Sequence, residues 1–375
     1  MRMNPTRLIG DFTELVLIDS PSFSERQIGD YIKSKLSALG LRVFEDGAGQ
    51  MLGGNCGNIF GFLDGTINAA SLLFSAHMDT VEPSRGKTAV IDRDGTIRSR
   101  GDTVLGADDF SGIAAILEAL TIIREYNLPH RPLEVLFTVA EEIYCQGISR
   151  FNFQNLKAKD AFVLDLTGPV GTAAYKAPAI ITFTVEVIGI SSHAGFEPER
   201  GVNAIAAASE AIKALPLGRL DHETTLNIGI IKGGLATNIV PDKCIVKGET
   251  RSYSGEKALN CIELVEREFQ KAAQRFGASY SFTNKIVCSA YETPLHHPIL
   301  GLFKKACADI QLGCNLVKTF GGSDNNTLFE NGITGLVLAS AMEKVHSCQE
   351  YTTTDELCRI AELTLQLMTI DPNDL

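Results

Sequence analysis

Along this chain, short unbroken apolar runs alternate with stretches whose apolar positions recur every three or four residues. The runs "SLLFSA", "PLEVLFTVA", "DAFVLDL" and "GLVLAS" are continuous, as strands buried on both faces of a parallel sheet read. Between and around them, "SERQIGDYIKSKLSALG", "DFSGIAAILEALTIIREY" and "HPILGLFKKACADI" carry the helical period. Ser24 with Gln27 reads as a capping box opening the first of these helices, and Gly40 as its stop. Thr353 with Glu356 reads as a second capping box opening the last helix. "VIDRDGTIRS" predicts a hairpin turning at Asp94-Gly95. Strand and helix in alternation predict an α/β fold, with a mixed, mostly parallel sheet flanked by helices.

From about residue 179 the pattern changes. "AIITFTVEVIGI" alternates strictly, as a half-exposed strand does, and "GVNAIAAASEAIKAL" follows as a helix. "TTLNIGIIKGG", "CIVKGETRSY" and "ASYSFTNKIVCSAY" read as further strands, and "GEKALNCIELVEREFQKAAQRFG" as a long helix. This is an α+β layer of its own, a four-stranded antiparallel sheet with two helices. Past Tyr291 the α/β rhythm resumes. The predicted organisation is therefore a discontinuous domain of residues 1–178 and 291–375 with a smaller domain, 179–290, inserted. A chain of 375 residues exceeds one comfortable core, which agrees with two domains.

Composition narrows the class. Apolar residues make up 45% and charged residues 21% of the chain, values of an ordinary globular enzyme. A formal net charge of −11 argues against nucleic acid or an anionic membrane as partner, since both recruit clustered Lys and Arg. No run of 18 apolar residues offers a membrane span. The opening "MRMNPTRLIGDFTELVLIDS" places Asp11 and Glu14 inside its apolar stripe, so it reads as an amphipathic helix and not as a signal peptide. Nine cysteines, an odd number without any C-x-x-C, read as reduced thiols in a cytoplasmic protein.

Candidate chemistry gathers where α/β sheets place it, at the carboxyl ends of strands. His77 and Asp79 follow the apolar run at 71–76, Glu141 and Glu142 follow "EVLFTVA", and Asp165 ends "AFVLDL". Asp108 and Asp109 open a helix in "GADDFSG", and His346 lies just past "GLVLAS". Taken singly, each has an ordinary explanation: a helix cap, a solvated turn, a surface histidine. Taken together they would crowd one sheet edge with mutually repelling carboxylates unless cations neutralised them. Two histidines and three or four carboxylates, without a cysteine, suit two divalent ions bridged by a carboxylate. A dinuclear hydrolase is the function this inventory favours.

The stretches "SAHMDTV", "GADD..GI", "AEE", "VLDL", "SSHAG", "GG.ATNIVPD", "GETRS" and "HS..EY" resemble, in order and spacing, the M20 family of metallopeptidases and its peptidase T-like branch. The resemblance runs from His77 to Tyr351, nearly the whole chain. It implies that His77 and Asp165 hold one ion, Glu142 and His346 the other, and that Asp108 bridges them. It also implies that Asp79 orients His77 through its second ring nitrogen, and that Glu141 is the general base. The inserted domain corresponds to the family's lid, where His193 of "SSHAG" resembles the histidine that polarises the scissile carbonyl, often from a partner subunit. Asn238 and Arg251 resemble groups that hold the substrate backbone and carboxylate, and Gly322 and Ser323 of "FGGSDNN" resemble the glycine-rich loop lining the cleft.

Phe110-Ser111 and Tyr144 depart from the Lys-Ala pair and the Gly that many members carry. Neither is a ligand position, so the departures bear on pocket shape. The function implied is a cytoplasmic two-metal exopeptidase of short peptides, with zinc first among the candidate ions and cobalt or manganese behind it. A homodimer joined through the lid is the expected assembly. An N-acyl-amino-acid deacylase or carboxypeptidase is the alternative on the same scaffold; family deacylases tend to carry Glu where this chain has Asp165. A non-catalytic binding protein would be free to drop Glu141, which this chain retains.

Overall fold

The structure is a computed structural model describing residues 3–371. The chain forms two compact units. One runs to Tyr175 and resumes over Glu292–Thr319 and from Ser323; the other is Lys176–Tyr291 with Phe320–Gly322. Phe320–Gly322, expected with the larger domain, therefore packs with the insert.

The larger unit is organised by a nine-stranded mixed sheet. Its centre is four strands, β1 (Leu72–His77), β2 (Leu133–Thr138), β3 (Asp160–Leu166) and β4 (Thr334–Ala339). They lie in the order β2-β1-β3-β4, every neighbouring pair parallel. Antiparallel strands flank this centre: Ile59–Leu63 beside β2, Arg42–Glu45 beyond it, and Thr172–Ala177 beside β4. β1 and β2 are buried at every position, as their unbroken apolar runs require. The helix Ala107–Tyr126 packs on β1 and β3 and is buried along almost its whole length. The opening helix, Pro5–Val16, buries Leu8, Phe12, Leu15 and Val16 on one stripe, each contributing about 1.5–3 kcal/mol. The hairpin at Asp94-Gly95 forms between Ala89–Ile91 and Thr96–Ser99 and belongs to a small separate sheet with Tyr351–Thr353.

The first predicted capping box is not made. The helix begins at Arg26 with Glu25 as its cap residue and no side-chain cap bond. Glu25 Oε1 accepts the N–H groups of Phe23 (2.9 Å) and Ala140 (3.0 Å) instead. Thr353 does cap the last helix, accepting the Glu356 N–H at 3.1 Å. Glu356 turns its own carboxylate to the Val170 N–H at 2.9 Å.

The smaller unit is an antiparallel sheet with two helices, Ala204–Ala214 and Gly255–Phe276. Its sheet has five strands and not four, in the order Gly218–Arg219, Thr224–Gly233, Lys243–Ser252, Ala179–Ile188, Ser279–Cys288. The extra strand is two residues long and pairs with Thr225 and Leu226, too short to leave an alternation in the sequence. Ile181, Phe183, Val185 and Val187 point into the core, while Thr182, Thr184 and Glu186 between them are only half-buried. The long helix meets that face with Ala258, Ile262, Val265, Phe269 and Ala272. No helix among the described residues is long and apolar enough to cross a membrane.

Candidate metal centre

Parallel strands bring their carboxyl ends to one edge, and the polar clusters arrive there with them. His77 is the last residue of β1, Glu141 and Glu142 follow β2, Asp165 is the last residue but one of β3, and His346 follows β4. Asp108 enters from the irregular first turn of the central helix, where its own backbone is non-helical and the cap residue Gly106 takes φ +81°, a left-handed backbone suited to glycine. Gly112 is demanded by proximity, since a Cβ there would sit 2.8 Å from the Leu164 carbonyl oxygen.

The carboxylate of Asp108 faces two imidazoles. Its Oδ1 lies 2.9 Å from His77 Nε2, and its Oδ2 lies 3.3 Å from His346 Nε2. His346 Nε2 is also 2.9 Å from Glu142 Oε2, although the His346 side chain is 55% exposed. Two groups of possible ligands share His77: one with Asp108 and Glu142, the other with Glu141 and Asp165, the ligand atoms of each lying within 4.8 Å of one another.

Asp79 is fully buried beside His77, and its main chain and carboxylate meet different partners. The closest partner of His77 Nδ1 is the Asp79 main-chain carbonyl at 2.9 Å, while the carboxylate Oδ1 is 3.6 Å away. The carboxylate accepts the N–H groups of Glu141 (2.9 Å) and Glu142 (3.2 Å) and the Ser22 hydroxyl (2.6 Å). The Asp79 carbonyl is thus the nearer partner of the ring, with the carboxylate behind it, and that carboxylate also holds the loop bearing the two glutamates. Asp109 accepts the His77 N–H at 3.2 Å.

Electrostatically the cluster is unbalanced. Burial, with Glu141 and Asp108 nearby, pushes the Asp165 carboxyl well above the usual range. Burial does the same to Glu141, where Asp324, Glu142 and Asp79 add to it and His77 opposes. Glu142 is raised by burial against the pull of His346. Burial also works against ionised Asp108, but His346 and His77 outweigh it and hold that carboxyl low. Hydrogen bonds to Asp108 and Glu142 push His346 up to about 10. Carboxylates that resist ionising beside imidazoles that hold their protons describe a site short of positive charge. The donor set fits divalent cations: imidazole nitrogens and carboxylate oxygens converge, and Asp108 presents one oxygen toward each histidine.

In the smaller unit, Asn238 and His193 sit side by side, the Ala194 N–H donating to the Asn238 carbonyl at 3.0 Å. His193 Nδ1 accepts the N–H groups of Gly195 (3.1 Å) and Phe196 (3.2 Å), and its ring stacks on Phe196 at 4.2 Å. With Nδ1 an acceptor, the proton of the neutral ring sits on Nε2. Arg251 is held within the same unit, its Nε donating to Glu249 at 2.7 Å and its Nη1 to the Phe320 carbonyl at 2.8 Å. Gly322 is packed so that a Cβ would meet Ile180 and Cys288. Ser323, in the larger unit, caps the helix Asp324–Glu330 in a box with Asn326.

Several residues that shape the site were not singled out from the sequence. Ser22 and Glu25 come from the N-terminal segment, which carries no motif. Thr138 donates to Asp324 at 2.5 Å, and Cys145 donates to Glu141 Oε1 at 3.2 Å. Glu350 lies within the stretch "HS..EY", whose resemblance assigns it no role. Phe110 is a core residue, whereas Tyr144 is 48% exposed at φ +74°.

A buried histidine–carboxylate cluster fit for divalent ions, at the carboxyl ends of a parallel sheet, defines a metal-dependent hydrolase. Comparison with known proteins is specific. The M20 peptidase dimerisation domain matches residues 176–276, and peptidase family M28 matches residues 58–210. The uncharacterized protein YqjE of Bacillus subtilis is 35% identical over 98% of both chains. A tripeptidase from Staphylococcus aureus is 33% identical and superimposes with a TM-score of 0.95 over 99% of both chains. Aminopeptidase PepT from Bacillus cereus is 34% identical, with a TM-score of 0.90 over 98% of both. The chain belongs to the M20 family of metallopeptidases, in its peptidase T-like branch, and is a hydrolase of peptide bonds.

Proposed function

We propose that the protein is an exopeptidase of short peptides that works with two divalent metal ions. The observation that carries this is Asp108, whose two oxygens face His77 and His346 separately, as a carboxylate shared between two ions must. His77 and Asp165 would hold one ion, Glu142 and His346 the other, with zinc the first choice and cobalt or manganese the alternatives. When bound, such ions polarise a carbonyl and acidify water.

The chain's own residues do the rest. Glu141 is the general base: it takes the proton of the attacking water and returns it to the leaving amine. Its burial among carboxylates raises its affinity for that proton. His193, donating from Nε2, stabilises the carbonyl oxygen as charge develops there. Asn238, Arg251, Gly322 and Ser323 belong to the surface that receives the substrate. Arg251 reaches a substrate carboxylate while keeping its bonds to Glu249 and Phe320. The larger domain carries the metals and the inserted domain the lid, through which the chain forms a homodimer. The reading extends to a cytoplasmic enzyme, which its free cysteines support.

The test is a mixture of di- to pentapeptides offered to the metal-loaded protein, with N-acetylated controls. Release of free amino acids from the unblocked peptides alone is expected; preference for the acetylated ones would replace this reading with the deacylase. Glu141→Gln should keep its ions and lose about 10²–10⁴-fold in turnover.

A further inference from the structure

Glu350 lies four residues after His346 and is 2% exposed. Its carboxylate is saturated by main chain. Oε2 accepts the N–H groups of Leu105 at 2.7 Å and Gly106 at 2.8 Å, and Oε1 accepts the N–H of Asp108 itself at 2.9 Å. These three donors form the turn that presents Asp108. The residue that follows Glu350 begins the strand Tyr351–Thr353, paired with Thr96–Ser99, and the Tyr351 and Glu343 main chains exchange two hydrogen bonds across the loop that carries His346. One buried side chain therefore ties the loop of one ligand to the turn of another.

A buried carboxylate is costly unless hydrogen bonds satisfy it, and three short charge-assisted bonds do so here. An amide cannot replace it. A glutamine offers one oxygen; turned toward Leu105 and Gly106 it sets its NH₂ against the Asp108 N–H, and turned the other way it strands two donors.

We propose that Glu350 is a positioning residue that locks the Asp108 turn to the His346 loop, so that retention of the ion held by Asp108, Glu142 and His346 depends on it. The inference rests on the two-ion reading above. Outer residues that orient metal ligands are worth about 10–100-fold in affinity.

The experiment titrates metal-free protein with Co²⁺, following visible absorption and ions bound per chain by equilibrium dialysis, with thermal unfolding of the metal-free forms alongside. Wild type should take up two Co²⁺. Glu350→Gln should bind one of them about 10–100-fold more weakly and lose that ion's absorption bands at limiting metal, as His346→Ala also should. A purely structural role would lower the unfolding temperature and leave both affinities within twofold of wild type, and that result overturns the proposal. Should Glu350→Gln fail to fold, Glu350→Asp keeps the charge but is one methylene short, and should show the same selective weakening at the low end of the range. Wild-type affinities in Glu350→Asp would overturn the proposal. Wild-type protein that binds fewer than two Co²⁺ would instead remove the two-ion reading beneath it.

Discussion

Asp79 divides its labour between main chain and side chain, and the division is open to test. Its carbonyl fixes His77, and its carboxylate holds the N–H groups of Glu141 and Glu142. Asp79→Ala keeps the carbonyl and so leaves the His77 ring set, but it strands two buried donors and frees the Glu141 loop. The expected outcome is a protein that retains its ions better than His77→Ala, yet falls in turnover because the base is misplaced. Elemental analysis after dialysis and kcat on a tripeptide decide it. Metal loss in Asp79→Ala equal to that in His77→Ala would show that the carboxylate, not the carbonyl, sets the ligand. The identities of these residues were legible in the sequence. Which atom of Asp79 meets which partner was not, because that depends on β1 and β2 running side by side and in register.

Between elements, Glu45 joins the strand Arg42–Glu45 to the helix Arg26–Ala38. It takes Arg26 at 2.8 Å and Lys33 at 2.7 Å, and accepts the Gly57 N–H at 2.9 Å. Burial pushes this carboxyl up, but Arg26, the Gly57 N–H and Lys33 together outweigh it and hold it at about 2, against 4.5 unperturbed. A carboxyl depressed by folding contributes stability that is fully present above pH 4.5 and is lost as pH falls toward 2. Each unit of pKa is worth about 1.4 kcal/mol; with solvent screening of partly exposed partners, about 1–2 kcal/mol is expected. Glu45→Gln should therefore unfold at lower urea than wild type at pH 7, and the gap should narrow from about pH 5 and close toward pH 2. A gap that does not change with pH would refute the ionic origin. The same helix shows where local reading failed. Its Ser24-Gln27 signal was sound as chemistry, but the main chain at Phe23 takes φ +72° and Glu25 is captured by Ala140, a residue more than a hundred positions away. Propensity gives way when a tertiary contact satisfies the same groups better.

For the molecule as a whole, the smaller unit leaves an apolar surface uncovered. Along the strand Thr224–Gly233 the buried alternation stops, and Ile230 and Ile231 are exposed; Leu235 is 90% and Phe196 81% exposed. Exposed apolar side chains concentrated in this way mark an interaction face, and the M20 peptidase dimerisation domain matches this segment. If His193 serves the neighbouring subunit's site, two inactive chains should rescue one another. Glu141→Gln mixed in equal amount with His193→Ala would form heterodimers in which one site has both residues intact, and activity should return to about a quarter of wild type, since random exchange makes about half of the dimers heterodimers with one good site of two. Heterodimers verified by tag and still inactive would confine His193 to its own chain.

Sequence alone determined the α/β class and put forward His77, Asp108, Glu141, Glu142, Asp165 and His346 as candidates for one site. Unbroken apolar strands report burial on both faces, and charged groups at their ends are too costly to place there without a use. Only the tertiary structure decided which groups hold those residues in place. Glu350 meets the Asp108 turn across more than two hundred residues, Asp79 meets the glutamate loop across two adjacent strands, and the two-residue fifth strand exists only because Thr225 and Leu226 offer it partners. Periodicity records what a segment buries. It carries no trace of which main-chain N–H a distant carboxylate will accept, since that bond leaves no repeat in either segment.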